Sequence, residues 1–224
     1  MRGRTPSAAP PVPAGAGTAV PANAPVAVLT VALASTSIVA LVLHALGWLR
    51  MPYAVSFLTL PGLVLLLGLM VWAGRVDHAF LRDRLAAGTI GGLLGLLAYD
   101  LGRWLLVLTV PLGFDPFAPI RGFGTFITGR PAPSAAAAVA GWAYHVSNGW
   151  TFGVAYAVIF GPARWWWGLA WGLFLEGGML LVYPLVFAPL RTGPFLVVSI
   201  TGHALFGATL GRWCATHLPE GAAG

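Results

Sequence analysis

The sequence predicts an all-α membrane protein built from six transmembrane helices, and three observations carry that prediction. Of 224 residues, 58% are hydrophobic and only 8% charged, whereas a water-soluble surface needs about a quarter of its residues charged. Mean hydropathy is +0.83. The apolar residues also gather into runs near the length that spans a bilayer as a helix, about 20 residues.

Residues 1–25 are rich in Pro, Ala and Gly without periodicity and read as a disordered N-terminal tail. The run that follows is too long for the apolar part of a signal peptide, so an uncleaved first helix is expected. The six spans are expected at 26–49, 53–73, 85–110, 134–160, 165–189 and 194–215, within a transmembrane domain of residues 26–217. A short tail, 218–224, ends the chain. Pro61 and Pro184 should kink the second and fifth spans. Trp48, Trp72, Trp165, Trp166, Trp167 and Trp213 fall at span ends, where an amphipathic ring suits the headgroup region.

All twelve basic residues are Arg. They are scattered at segment ends and form no stripe, so the net charge of +6 points to topological anchoring and not to nucleic acid. With the N-terminus inside, Arg2, Arg4, Arg75, Arg82, Arg84, Arg164 and Arg212 fall on the inner side. Arg50, Arg121, Arg130 and Arg191 fall outside. This asymmetry places both termini in the cytoplasm of a bacterium, with the chain in the inner membrane. Cys214 is the single cysteine, which excludes an intrachain disulfide and CxxC chemistry. The connector Pro111–Pro133 carries Phe114, Phe117, Phe123 and Phe126. It is expected either as an interfacial or re-entrant segment or as a loop resting on headgroups. Its GFGTFITG does not fit GxGxxG and supports no dinucleotide site.

Residues four apart share a helix face. The fourth span then presents Gly141, His145, Gly149 and Gly153 in one row, and the sixth His203, Gly207 and Gly211. The third presents Gly88, Gly92, Leu96 and Asp100, and the fifth Gly168, Gly172 and Glu176. Odd and even spans run in opposite directions, so all these glycines fall in the inner half of the bilayer. The two acids and two histidines share a depth near or outside the midplane. This pattern suggests a duplicated helical hairpin, spans 3–4 and 5–6, in parallel orientation. The glycine rows let backbones approach closely.

Ionisable groups at such depth are costly, usually face the bundle interior and mark function. Asp100 and Glu176 are therefore the candidate catalytic acids. His145 and His203 are candidate cofactor ligands, and all four together a candidate metal set. Arg103, Tyr144, Asn148, Tyr156 and His44 could surround them, and Tyr99 lies beside Asp100. The opposing expectation is that these groups only satisfy one another, Asp100 with Arg103 and His145 with Glu176 or Asn148, and fix helix register.

The pattern YHxxNGxxFGxxY followed by GHxxxGxxLG, here Tyr144 to Tyr156 and Gly202 to Gly211, resembles that of a class of small polytopic bacterial inner-membrane proteins. The resemblance covers roughly residues 85–213. It implies the membrane fold, and no activity travels with it.

Three functions are open at this point. One is an intramembrane enzyme or redox protein, using a metal ion, a bis-His haem, or acid–base chemistry on a lipid or isoprenoid molecule. The second is a proton-coupled transporter, for which the glycine-filled inner half offers few polar groups. The third is a structural subunit of a larger membrane complex.

Overall fold

The computed structural model describes residues 23–110, 113, 115–187 and 193–219. The N-terminal tail before Asn23, Phe114, Arg191 and the last five residues lie outside them. Among the described residues the structure is helical, with no strand.

The first expected span is two helices, α1 (Ala24–Ala34) and α2 (Thr36–Ala45), meeting at a bend of 46°. The hydroxyls of Thr30, Ser35 and Thr36 donate back to the carbonyls of Val26, Val31 and Leu33 at 2.7–2.8 Å. Such back-bonding competes with the helical ladder and bends it. The second span is a continuous run, Met51–Arg75. It comprises α3 (Met51–Ala54), a π-helical turn (Val55–Thr59) and α4 (Leu60–Arg75). The departure from α geometry falls just before Pro61, which has no N–H to donate to the preceding turn.

Next comes α5 (Ala79–Thr109), which starts well before the expected residue 85. The His78 side chain caps it by accepting from the Leu81 N–H. The connector that follows holds a short helix, α6 (Ala118–Thr128), then come α7 (Ala135–Phe160), α8 (Trp165–Val186) and α9 (Gly193–His217). The described part of α8 ends two residues after Pro184.

Among the described residues, four helical runs are long and apolar enough to cross a membrane: Met51–Arg75, α5, α8 and α9. The bent pair α1–α2 adds a fifth if it forms one broken span. These long apolar helices fit a membrane protein, and large apolar side chains such as Val28, Phe57, Phe174 and Leu181 are exposed along them. Helix α7 has the length to cross, 26 residues. Its His, Asn, Ser and Tyr residues keep it outside the apolar set.

The principal packing is α7 on α5, α5 on α9, and α9 on α8. Glycines set these contacts. A Cβ on Gly92 would lie 2.7 Å from the Gly149 carbonyl oxygen and 3.0 Å from Gly153 Cα. A Cβ on Gly168 would overlap the Gly207 carbonyl and Gly211 Cα. Helix α6 docks on α7 in the same manner, with Gly124 against Ala137 and Gly141 against the Ile120 backbone. At the opposite end, buried Arg84 donates to the Ala157 and Val158 carbonyls at 2.9 and 3.2 Å, closing the C-terminus of α7. The backbones of α7 and α8 stay apart, joined at one end by Tyr156 and Phe160 against Trp167 and Trp171, and α2 contacts both helices.

Candidate functional site

Asp100 lies nine residues from the end of α5. His145 and His203 lie ten residues into α7 and α9, and Glu176 ten before the end of α8. At 1.5 Å per residue all four are about 14–15 Å from the same end of the bundle. Antiparallel packing through the glycine rows then brings them together in pairs.

In the first pair His145 Nε2 is 3.1 Å from both carboxylate oxygens of Asp100. Asp100 also accepts from Arg103 Nη2 at 2.6 Å, and Arg103 Nη1 donates to the Pro116 carbonyl at 2.7 Å. The Arg103 guanidinium lies over the Tyr99 ring at 4.0 Å and is buried. This pair is thus fastened from three sides: α5, α7 and the chain entering α6.

In the second pair His203 Nδ1 is 2.7 Å from Glu176 Oε2 and 3.1 Å from the Ser199 carbonyl. Both neighbours are acceptors, so Nδ1 carries the proton and donates. Ser199 Oγ donates to the same Glu176 oxygen at 2.8 Å. Glu176 is 3% exposed, and its Oε1 has no partner among the described residues. The other ring nitrogen of His203, Nε2, likewise has none.

Tyr99 stands between the pairs. Its ring centre is 5.8 Å from that of His145 and 4.9 Å from that of His203. The expected four-residue cluster is therefore two acid–histidine pairs flanking an aromatic ring. His145 pairs with Asp100, not with Glu176 or Asn148.

The arrangement does not fit a metal. Among the described residues no three His, Cys, Asp or Glu side chains gather as ligands. Nor does it fit a bis-His haem. The space lined by both histidines is about 80 Å³, room for a few waters and not for a porphyrin. His145 Nε2 is also engaged by Asp100.

The expected surrounding residues divide. Tyr144 donates from its hydroxyl to the Ser37 carbonyl at 2.6 Å, tying α7 to α2. Asn148 Oδ1 accepts from Ser37 Oγ. Tyr156 is fully buried farther along α7, stacked on Phe160, and takes no part in either pair. His44 packs against Phe126 at 5.0 Å, also apart from the pairs.

Three cavities adjoin here, all lined by Phe123, Met179 and Tyr183. The smallest, about 20 Å³, touches Arg103, His145 and Ser199. The largest, about 370 Å³, lies between α2, α7 and α8. His203 lines it and His145 does not. Its walls are apolar and aromatic, including Ile38, Phe152, Trp171, Phe174 and Val182. Ser199, Tyr183 and Ser37 escaped the sequence reading. Ser199 carried a signal, since it stands one turn before His203 on the same face.

Outside the bundle, Asp115 precedes α6 and accepts from Arg121 and from the Phe117 N–H. Burial raises its pKa, but these hydrogen bonds and the Arg121 charge outweigh that and hold it below 3.8.

Compared with protein-family models, with curated proteins and with solved structures, the chain gives no match.

Proposed function

We propose that this protein is an intramembrane enzyme that performs acid–base chemistry on a lipid-phase substrate, with Glu176 and His203 as its working pair. One observation carries the reading. His203 has Nδ1 held by a buried carboxylate and borders the large apolar cavity, with no hydrogen-bond partner on Nε2 among the described residues. A carboxylate behind Nδ1 fixes the tautomer and orientation of the ring and stabilises the imidazolium. Nε2 then accepts a proton from substrate and returns it, work that contributes typically 10²–10⁴-fold in rate. Asp100 and His145 have a positioning role in this reading, because Arg103 occupies the carboxylate and the chamber does not reach them.

The proposal extends to topology. The chain crosses a bacterial inner membrane six times, with α7 as the fourth span and both termini cytoplasmic. The length of α7 and the arginine asymmetry support this. Hairpins α5–α7 and α8–α9 are duplicates. Support comes from their shared register: Gly92 on Gly153 with Asp100 on His145, and Gly168 on Gly211 with Glu176 on His203. Lipid is the partner of the outer faces.

The test is comparative lipid analysis. Purified wild type and Glu176→Gln are incubated with a bacterial lipid extract, and the products are compared by mass spectrometry. Wild type should convert a lipid-phase species that Glu176→Gln, folded to the same extent, leaves intact. Identical lipid profiles would overturn the reading. Failure of Glu176→Gln to accumulate would favour a structural role for the pair.

A further inference from the structure

We infer that the chamber between α2, α7 and α8 binds an uncharged amphiphile: a hydrocarbon body with a hydroxyl head held at His203. The inference deepens the acid–base reading and rests on it for the chemistry done at the head. The size and apolar walls suit a small lipid-phase ligand, since sites for such molecules run about 300–1,000 Å³ with few polar groups. Phe123, Phe152, Trp171 and Phe174 offer flat faces to an unsaturated chain.

The head follows from the polar groups on the lining. Asn148 is already engaged: its Oδ1 accepts from Ser37 Oγ, and its side chain is hydrogen-bonded to the Tyr144 hydroxyl. The Tyr183 hydroxyl makes no hydrogen bond among the described residues. With Nδ1 donating to Glu176, neutral His203 offers an acceptor at Nε2. A hydroxyl meets both needs at once: it donates to His203 Nε2 and accepts from the Tyr183 hydroxyl.

A phosphorylated head does not fit. Among the described residues no Arg lines this chamber, and the nearby Arg103 is held by Asp100 and the Pro116 carbonyl. A phosphate buried there would be unpaired, beside the Glu176 carboxylate.

The experiment uses the full chain in nanodiscs, radiolabelled farnesol as probe and empty nanodiscs as background. Two neighbouring glycines give the controls. Neither Gly177 nor Gly178 has any atom within 4 Å of an added Cβ, but only Gly178 lines the chamber. Farnesol should bind saturably, and farnesyl phosphate about 100-fold more weakly. Gly178→Phe should weaken farnesol at least about tenfold by filling the space, with Gly177→Phe unchanged. Val182→Trp, also on the lining, repeats the test should Gly178→Phe fold poorly. Phosphate binding as tight as the alcohol overturns the head assignment. Saturable binding that survives both filling variants, or no saturable binding at all, overturns the chamber assignment. The two levels separate cleanly. Farnesol binding without lipid turnover in wild type counts against the acid–base reading alone, and turnover without farnesol binding counts against this inference alone.

Discussion

The two helical hairpins place an acid and a histidine at the same depth, yet they leave them in different states. In α5–α7 the carboxylate of Asp100 is shared between His145 and a buried guanidinium, which is itself tied to the Pro116 carbonyl. In α8–α9 no cation joins Glu176 among the described residues. A serine and the histidine share one oxygen, and the histidine faces open space. One extra residue, Arg103 one turn beyond Asp100, accounts for much of the difference. A carboxylate already neutralised by a guanidinium is suited to fixing helix register, whereas a pair whose histidine lines the large chamber is suited to moving a proton.

Changes that strip one pair and spare the other sharpen this contrast. The largest effect is expected from Arg103→Met, which leaves Asp100 part-buried without its guanidinium. Breaking such a pair costs about 3–5 kcal/mol, to be read by thermal or denaturant unfolding in detergent. A loss within about 1 kcal/mol would show that the first pair is no fastening. Next is Gly207→Val, whose Cβ would meet the Gly168 carbonyl oxygen, backbone that cannot swing aside. It should cost about 3 kcal/mol or prevent accumulation, whereas Gly177→Val, with open space, should accumulate normally. His203→Asn should cut lipid turnover about 100-fold with the fold retained, and His145→Asn should cut it much less. Equal losses would erase the distinction between the pairs.

The smallest effect concerns the entry to α6. The Asp115 pKa is lowered in the folded state, so its contribution is present above the unfolded value of about 4 and is lost as pH falls through the lower folded value. Amide exchange over residues 115–128, corrected for intrinsic rates, should quicken below that pH in wild type. Asp115→Asn should remove the acid-dependent step.

Much of the α5–α9 region was legible because its signals are local. Four-residue spacing exposed the glycine rows, and opposed helix directions carried the acids and histidines to one depth. The pairing within each hairpin was not read from that spacing, since Glu176 or Asn148 was the expected partner of His145 and the structure gives Asp100. What escaped depended on distant contacts or on competing hydrogen bonds. The bend at Ser35 arises from three hydroxyls returning to their own backbone. The division into two pairs needed Tyr99, an immediate neighbour of Asp100, to stand between two histidines from other helices. The chamber exists because α7 and α8 stay apart while α2 spans them, and spacing along one helix does not encode that.

The most direct measurement compares Asp100→Asn with Glu176→Gln for both unfolding temperature and turnover of lipid substrate. Opposite outcomes are expected. Asp100→Asn should lose several degrees of stability, because Arg103 is left buried without its counter-charge. Glu176→Gln should unfold within about a degree or two of wild type, because an amide oxygen still accepts from His203 and Ser199, while its turnover disappears. A Glu176→Gln protein that keeps its turnover, or an Asp100→Asn protein as stable as wild type but inactive, would contradict the division of labour between the two hairpins.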